Sequence, residues 1–132
     1  MNHGIIVTHG NFSKELIKTT ELVAGKIKNI TAISNTGLSL KGLIEKIDEA
    51  ITIQPDANII LMVEMIGGSP YIAARKAAAG HKNVYLLSGV NIPMLISFCT
   101  KGKNLNPDEI STIMKRDAER GIELIKPIFK DE

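Results

Sequence analysis

The sequence lacks the features of several large classes of protein. It has no tryptophan and only 4% aromatic residues, too few for a surface that stacks nucleic-acid bases. Its 16 lysines and arginines are dispersed among 14 acidic residues, and the net charge of +2 does not indicate nucleic-acid or membrane binding. No apolar run approaches the roughly 20 residues that a membrane-spanning helix needs. We therefore expect a soluble protein without nucleic-acid partners.

The chain is also poor in residues that support a fold through covalent or metal bonds. The single cysteine, Cys99, cannot form an internal disulfide, and the N-terminus has no signal-peptide pattern, which together indicate the cytoplasm. Cys99 lies among apolar residues and is interpreted as an inert core thiol. The three histidines have no metal-ligand spacing, and neither a Walker P-loop nor a G-x-G-x-x-G fingerprint occurs. No metal or nucleotide cofactor is expected.

What the sequence does contain is an alternation of strand-like and helix-like patterns. Strands are predicted at 4–8, 30–34, 58–63 and 83–88, and helices at 14–24, 40–51, 71–79, 92–99 and from 107 to about 125. This order predicts one α/β domain over residues 1–132, with a mostly parallel open sheet of strand order 2-1-3-4 and helices on both faces. The tail, residues 126–132, is assigned to no element.

Two loops at one edge of this sheet carry the polar residues of most interest. In the order 2-1-3-4 the first and third strands are neighbours where the strand order reverses, and ligands of open α/β sheets bind at that point. The first strand ends in THG (8–10) and the third is followed by EMIGGSP (64–70). The two loops are therefore expected to meet.

The GGSP segment is typical of a helix start. Ser69 is predicted as the N-cap and Pro70 as the first helical residue, while Gly67 and Gly68 let the backbone present its N–H groups to a ligand. A helix N-terminus of this kind binds anions through its free amides and its dipole. The alternative is a tight turn between strand and helix that binds nothing.

His9 is a candidate nucleophile because it would lie beside this loop. A histidine nucleophile must be neutral, with one ring nitrogen free and the other N–H held by an acceptor. Glu64 is the candidate acceptor, and a phosphoryl group on His9 could contact the amides of residues 67–69 and the Ser69 hydroxyl. The alternative is a structural or surface histidine, and His3 and His81 are interpreted as solvated surface residues.

Four stretches together resemble a known family: THG, ELIKTTELVAG, GGSP, and GVNIPML after the fourth strand. They are similar to the IIA component of the mannose/fructose/sorbose class of the phosphoenolpyruvate-dependent sugar phosphotransferase system. The resemblance implies a homodimeric α/β phosphotransferase whose histidine accepts a phosphoryl group from phospho-HPr and passes it to a IIB domain. His9 matches the phosphorylated position, and Ser69 matches a phosphate-contacting serine. Glu64 falls where the family typically has an aspartate paired with the histidine.

The same resemblance implies the partners and shows two departures. The IIB partner is expected on a separate polypeptide, and the membrane components IIC and IID choose the sugar, which a IIA component never touches. Glu64 is one methylene longer than the usual aspartate, so it must reach the imidazole differently. Met65 offers no hydroxyl where the family often has a threonine.

Two other functions stay open on the sequence alone. One is a regulatory module in which phosphorylation of His9 serves only as a signal. The other is a phosphohistidine domain that serves dihydroxyacetone phosphorylation, although GGSP and GVNIPM favour the sugar-transport branch. Separately, the helix in GVNIPMLISF (89–98) is apolar over most of its surface, which predicts a homodimer because so small a domain would not cover every side of it.

Overall fold

The computed structural model describes residues 1–128 and contains the predicted alternation of strands and helices. The strands are β1 (Asn2–Thr8), β2 (Ile30–Ser34), β3 (Asn58–Val63) and β4 (Val84–Ser88). The helices are α1 (Phe12–Ala24), α2 (Leu40–Thr52), α3 (Gly68–Ala78), α4 (Ile92–Lys101) and α5 (Pro107–Arg120). Residues 126–128 of the tail have no regular secondary structure, and the rest of the tail lies outside the described residues.

The strands form one parallel sheet in the order β2-β1-β3-β4, which confirms the predicted topology. β1 and β3 pair in register up to Val7 opposite Val63, so their carboxyl ends lie side by side. These two central strands are buried almost throughout, whereas β2 and β4 at the edges are partly exposed. The uninterrupted apolar run of β3 follows from this position, because a central parallel strand is covered on both faces.

Alternate residues of the central strands serve two separate cores. On one face, Val7 and Leu61 pack with α2 and α3. On the other face, Ile6 and Met62 pack with α1, α4 and α5. Successive side chains of these strands thus point to opposite faces of the sheet, and both faces are apolar. This arrangement confirms a single α/β domain with helices on both sides of the sheet. No helix within residues 1–128 is long and apolar enough to cross a membrane.

The last helix is shorter than the sequence pattern predicts. α5 ends at Arg120, and residues 122–128 have no regular secondary structure, so the predicted end near 125 is wrong. The periodic residues Ile122 and Ile125 are 80% and 66% exposed, because the core that α5 covers ends at Ala118. Gly121 closes the helix against Pro93, where any Cβ would lie 2.6 Å from the proline ring. The helical spacing of apolar residues in the sequence therefore extends beyond the residues of α5 that pack against the core.

One side of the apolar helix α4 is covered within this one chain. Met94, Leu95 and Phe98 are at most 1% exposed and lie in the core shared with α1 and α5. Ser97 donates a hydrogen bond to Asp117 on α5 at 2.8 Å, and Lys101 donates to the same oxygen at 2.8 Å. α5 therefore covers one side of this helix without a second copy, while Ile96 and Cys99 stay partly exposed. The homodimer stays a prediction.

Candidate functional site

The two loops expected to meet do so at the carboxyl ends of β1 and β3. His9 follows the last residue of β1 and Glu64 follows the last residue of β3, and the register of these strands sets the two side by side. One Glu64 carboxylate oxygen accepts the His9 backbone N–H at 2.6 Å and also contacts Nδ1 of the same residue's imidazole. The longer glutamate thus holds both the backbone and the ring of His9.

This contact decides which nitrogen of His9 is free. A carboxylate only accepts hydrogen bonds, so the neutral imidazole carries its hydrogen on Nδ1 and keeps a lone pair on Nε2. A Cβ placed on Gly68 would lie 3.1 Å from His9 Cε1 and 3.4 Å from Nε2, so this edge of the ring lies against the start of α3. The His9 side chain is 48% exposed and that of Glu64 only 18%. The free nitrogen is therefore open to a large partner, while the carboxylate is shielded.

The start of α3 differs from the predicted one. The N-cap is Gly67, Gly68 begins the helix, and Ser69 is its second residue, so the prediction of Ser69 as N-cap is wrong. The two glycines cause the difference, because their φ values of 90° and 81° carry the chain into the helix before the serine. Gly67 has no side chain with which to cap this helix. Its first amides, from Gly68 and Ser69, are thus left for an anion beside His9 Nε2.

Asn35, which follows β2, is a part of this site that the sequence reasoning missed. Its side-chain oxygen accepts the Gly10 N–H at 3.2 Å, and its amide nitrogen donates to the Ser69 hydroxyl at 3.2 Å. Its backbone N–H donates to the carbonyl of Thr8 at 3.2 Å. A usable signal was present, because the predicted order sets β2 beside β1 and hence Asn35 at the same edge.

The loop that carries His9 is held on its inner side. Thr8 is fully buried, and its hydroxyl oxygen accepts the Ser13 N–H at 2.7 Å in the first turn of α1. The Ser13 hydroxyl in turn donates to the carbonyl of Ile33 on β2 at 3.2 Å. Gly10 has a φ of 54°, a conformation that side chains disfavour, and it turns the chain from β1 into α1.

The other histidines lie away from this edge. His3, near the start of β1, is only 7% exposed and is 2.8 Å from the Thr31 hydroxyl through Nε2, so its interpretation as a solvated residue is wrong. Burial lowers the pKa of His3 below its ordinary value of 6.5. His81 keeps a partly exposed side chain 2.7 Å from Asp48. Within residues 1–128, no three histidine, cysteine or acidic side chains are grouped to hold a metal.

Cys99 is partly buried beside the second core, and burial raises the pKa of its thiol. A raised thiol pKa leaves less of the reactive thiolate, so the structure favours the inert interpretation. Three large apolar side chains on the segments that follow His9 and Glu64 are exposed to solvent. Phe12, Met65 and Ile66 are 44%, 53% and 71% exposed.

The family comparison agrees with this geometry. The sequence profile of the family described as "PTS system fructose IIA component" matches residues 4–114. The chain belongs to this family. It is an EIIA of the mannose/fructose/sorbose class of the phosphotransferase system, which confirms the resemblance drawn from the THG, GGSP and GVNIPM motifs.

Individual EIIA relatives cover nearly the whole chain. The mannose-specific EIIAB component of Escherichia coli strain K12 is 27% identical over 125 residues, which are 92% of this chain and 39% of that protein. The chain thus spans well under half of that relative. The fructose-specific EIIA component of Bacillus subtilis is 25% identical over 122 residues, 91% of this chain and 84% of that one. A crystal structure of an EIIA component from Streptococcus agalactiae has a TM-score of 0.85 at 23% identity, covering 93% of this chain and 96% of that one, and so has the same fold.

Proposed function

We propose that this chain is a phosphoryl carrier of a sugar phosphotransferase system. His9 accepts a phosphoryl group from phospho-HPr through Nε2 and passes it to a IIB component during sugar uptake. The observation that carries the proposal is the position of His9, with Nδ1 held by Glu64 and Nε2 against the uncapped start of α3. Membership of the EIIA family supports the same chemistry.

The transfer step follows from this arrangement. The lone pair of His9 Nε2 attacks phosphorus, a new N–P bond forms, and the bond from phosphorus to the donor breaks with its electron pair leaving on the donor. The imidazole becomes positively charged, and the Glu64 carboxylate at Nδ1 stabilises that charge. The backbone amides of Gly67, Gly68 and Ser69 and the Ser69 hydroxyl are proposed to bind the phosphoryl oxygens. Attack by a nucleophile of IIB reverses these bond changes.

The setting of the carrier is also part of the proposal. Exposed apolar side chains occur on the two segments that follow His9 and Glu64: Phe12 begins α1, and Met65 and Ile66 come directly after Glu64. We propose that they contribute to the docking of HPr and IIB in turn. The chain acts in the cytoplasm and connects through IIB to the membrane components IIC and IID. It does so without a metal or cofactor, because the phosphoryl group travels on the imidazole itself.

A relay experiment tests this function. Purified chain is incubated with phospho-HPr and then with IIB components, and phosphorylation of each protein is followed by mass spectrometry and radiolabel. One phosphoryl group should appear on a peptide containing His9, be labile in acid and stable in alkali, and move on to IIB. No labelling by phospho-HPr would refute the proposal. Labelling without passage to any IIB would instead favour the regulatory module. Passage of the phosphoryl group to a dihydroxyacetone-phosphorylating enzyme would favour a domain that serves dihydroxyacetone phosphorylation.

The homodimer is a separate proposal that rests on the family resemblance. Apolar side chains that this chain leaves uncovered include Leu22 and Val23 on α1, which are 87% and 68% exposed. A second copy that covers such surface is consistent with the symmetric assemblies that small soluble proteins form. Analytical ultracentrifugation at micromolar concentration should give the mass of two chains. A single species of monomer mass would remove this proposal.

A further inference from the structure

Asn35 lies where the proposed phosphoryl site and the loop of His9 meet. It is partly buried after β2 and binds both sides of the site through one carboxamide. Its oxygen accepts the Gly10 N–H, and its nitrogen donates to the Ser69 hydroxyl, each at 3.2 Å. The residue beside His9 and the hydroxyl proposed for the phosphoryl group are thus linked by one side chain.

The chemistry of the three groups fixes the orientation of the Ser69 hydroxyl. The Gly10 N–H can only donate, so the carboxamide must turn its oxygen toward Gly10 and its NH₂ toward Ser69. An NH₂ group can only donate, so the Ser69 oxygen must accept at this contact. Its own hydrogen then points away from Asn35, and among residues 1–128 this hydroxyl donates to no other group. That hydrogen is therefore free to be donated to an oxyanion.

We propose that Asn35 is a positioning residue for phosphoryl transfer at His9, which acts by holding the Ser69 hydroxyl with its hydrogen directed to the phosphoryl group. This inference rests on the proposed function. Asn35 does not touch the reacting atoms, and its effect passes through Ser69. It also steadies the His9 loop through Gly10, but that role is structural and is independent of the Ser69 hydroxyl.

A double-mutant cycle separates the two roles. Single-turnover transfer from saturating phospho-HPr is measured for wild type, Asn35→Ala, Ser69→Ala and the double variant. Each single variant should slow transfer by about threefold to tenfold, the range for one neutral hydrogen bond. The double variant should be no slower than the slower single variant, because Asn35 acts through a hydroxyl that is no longer there. Effects that multiply would overturn the inference.

The variant Asn35→Asp provides a second test of the inference, because it keeps an acceptor for the Gly10 N–H. Its second oxygen cannot donate, so the Ser69 hydroxyl must donate to Asp and turn its hydrogen away from the phosphoryl group. Asn35→Asp should slow transfer strongly in the wild-type background, and by a smaller factor in the Ser69→Ala background. Equal slowing in both backgrounds would show a charge effect alone and overturn the inference.

Thr36→Ala is the matched control, since Thr36 lies in the same turn and is exposed, and its side chain and backbone N–H contact Ser34. It should transfer at the wild-type rate, and thermal unfolding of all variants verifies that they are folded. Failure of wild type to take a phosphoryl group would refute the proposed function and this inference together. Normal transfer by wild type with multiplicative variant effects refutes the inference alone.

Discussion

Strand β1 has a histidine near each end, and the two histidines differ in their exposure and in the groups that contact their rings. His3, at the amino end, is 7% exposed, hydrogen-bonds to the Thr31 hydroxyl and has a pKa lowered by burial. His9, just past the carboxyl end, has a side chain that is 48% exposed and in contact with the Glu64 carboxylate. Its other nitrogen lies against the start of a helix.

The difference follows from the direction of the strands. In a parallel sheet with crossover helices, loops leaving the carboxyl ends lead into helix N-termini, whose free amides and dipole favour anions. The amino ends receive helix C-termini and offer no such environment. Among the described residues, His3 at the amino end of β1 thus lies in the core and hydrogen-bonds to one hydroxyl. His9 at the carboxyl end instead meets an acid and the start of a helix.

The largest expected effect comes from replacing each histidine in turn. His9→Ala should abolish labelling by phospho-HPr, because no other group in the site offers a free imidazole nitrogen. His3→Gln should keep the transfer rate of wild type, since its amide can replace the ring's hydrogen bond to Thr31 far from the site. Quench-flow measurement with radiolabelled phospho-HPr gives both rates. If the His9→Ala protein were still labelled, another residue would carry the phosphoryl group.

Removing the charge next to His9 should have the second-largest effect. Glu64→Gln keeps the shape and the acceptor but loses the charge that stabilises the phosphorylated imidazole. A charge-assisted hydrogen bond is worth roughly 1.5–3 kcal/mol, so transfer should slow by about tenfold to a hundredfold. Glu64→Asp keeps the charge and should slow transfer less. Wild-type rates for Glu64→Gln would leave the carboxylate without a part in transfer.

The same two histidines show which features of the structure can be predicted from the sequence. Strand order and the meeting of THG with GGSP could be predicted, because apolar runs and helical periods repeat over many residues and determine which strands are central. The hydrogen-bond partner of buried His3 is one hydroxyl on a neighbouring strand, and the Asn35 bridge joins loops distant along the chain. Such single contacts leave no periodic pattern. Ser69 is predicted as a cap from its proline neighbour, but backbone angles at Gly67 and Gly68 decide the start of the helix.

Ser69→Ala should have a smaller effect, on transfer and not on stability. Loss of its hydroxyl removes one donor to the phosphoryl group and should slow transfer by about threefold to tenfold. The usual cost of losing an N-cap, about 1 kcal/mol, should not appear, because Gly67 holds that position. Stopped-flow transfer and urea unfolding measure the two quantities.

Ser39→Ala is the matched control for this serine. Ser39 caps α2 by accepting the Gly42 N–H at 3.0 Å, and it is exposed. Its loss should reduce the free energy of unfolding by about 1 kcal/mol and leave transfer unchanged. If Ser69→Ala destabilised the protein as much as Ser39→Ala and transferred normally, Ser69 would be a structural residue only.

The smallest expected effect concerns the dependence of stability on pH at His3. Because burial lowers the pKa of His3 in the folded chain, the unfolded chain binds the extra proton more readily once the pH falls below its ordinary pKa of 6.5. The stability that neutral His3 contributes is therefore complete above about pH 6.5 and is lost as the pH falls through its lower folded pKa. Asp117, whose pKa is lowered to about 2 mainly by the hydrogen bonds from Lys101 and Ser97, stays charged throughout this window. Between about pH 8 and about pH 5, urea unfolding should show a larger loss of stability for wild type than for His3→Gln, which cannot be protonated. Equal losses would mean that His3 has the same proton affinity in both states, and its burial would then have no electrostatic consequence.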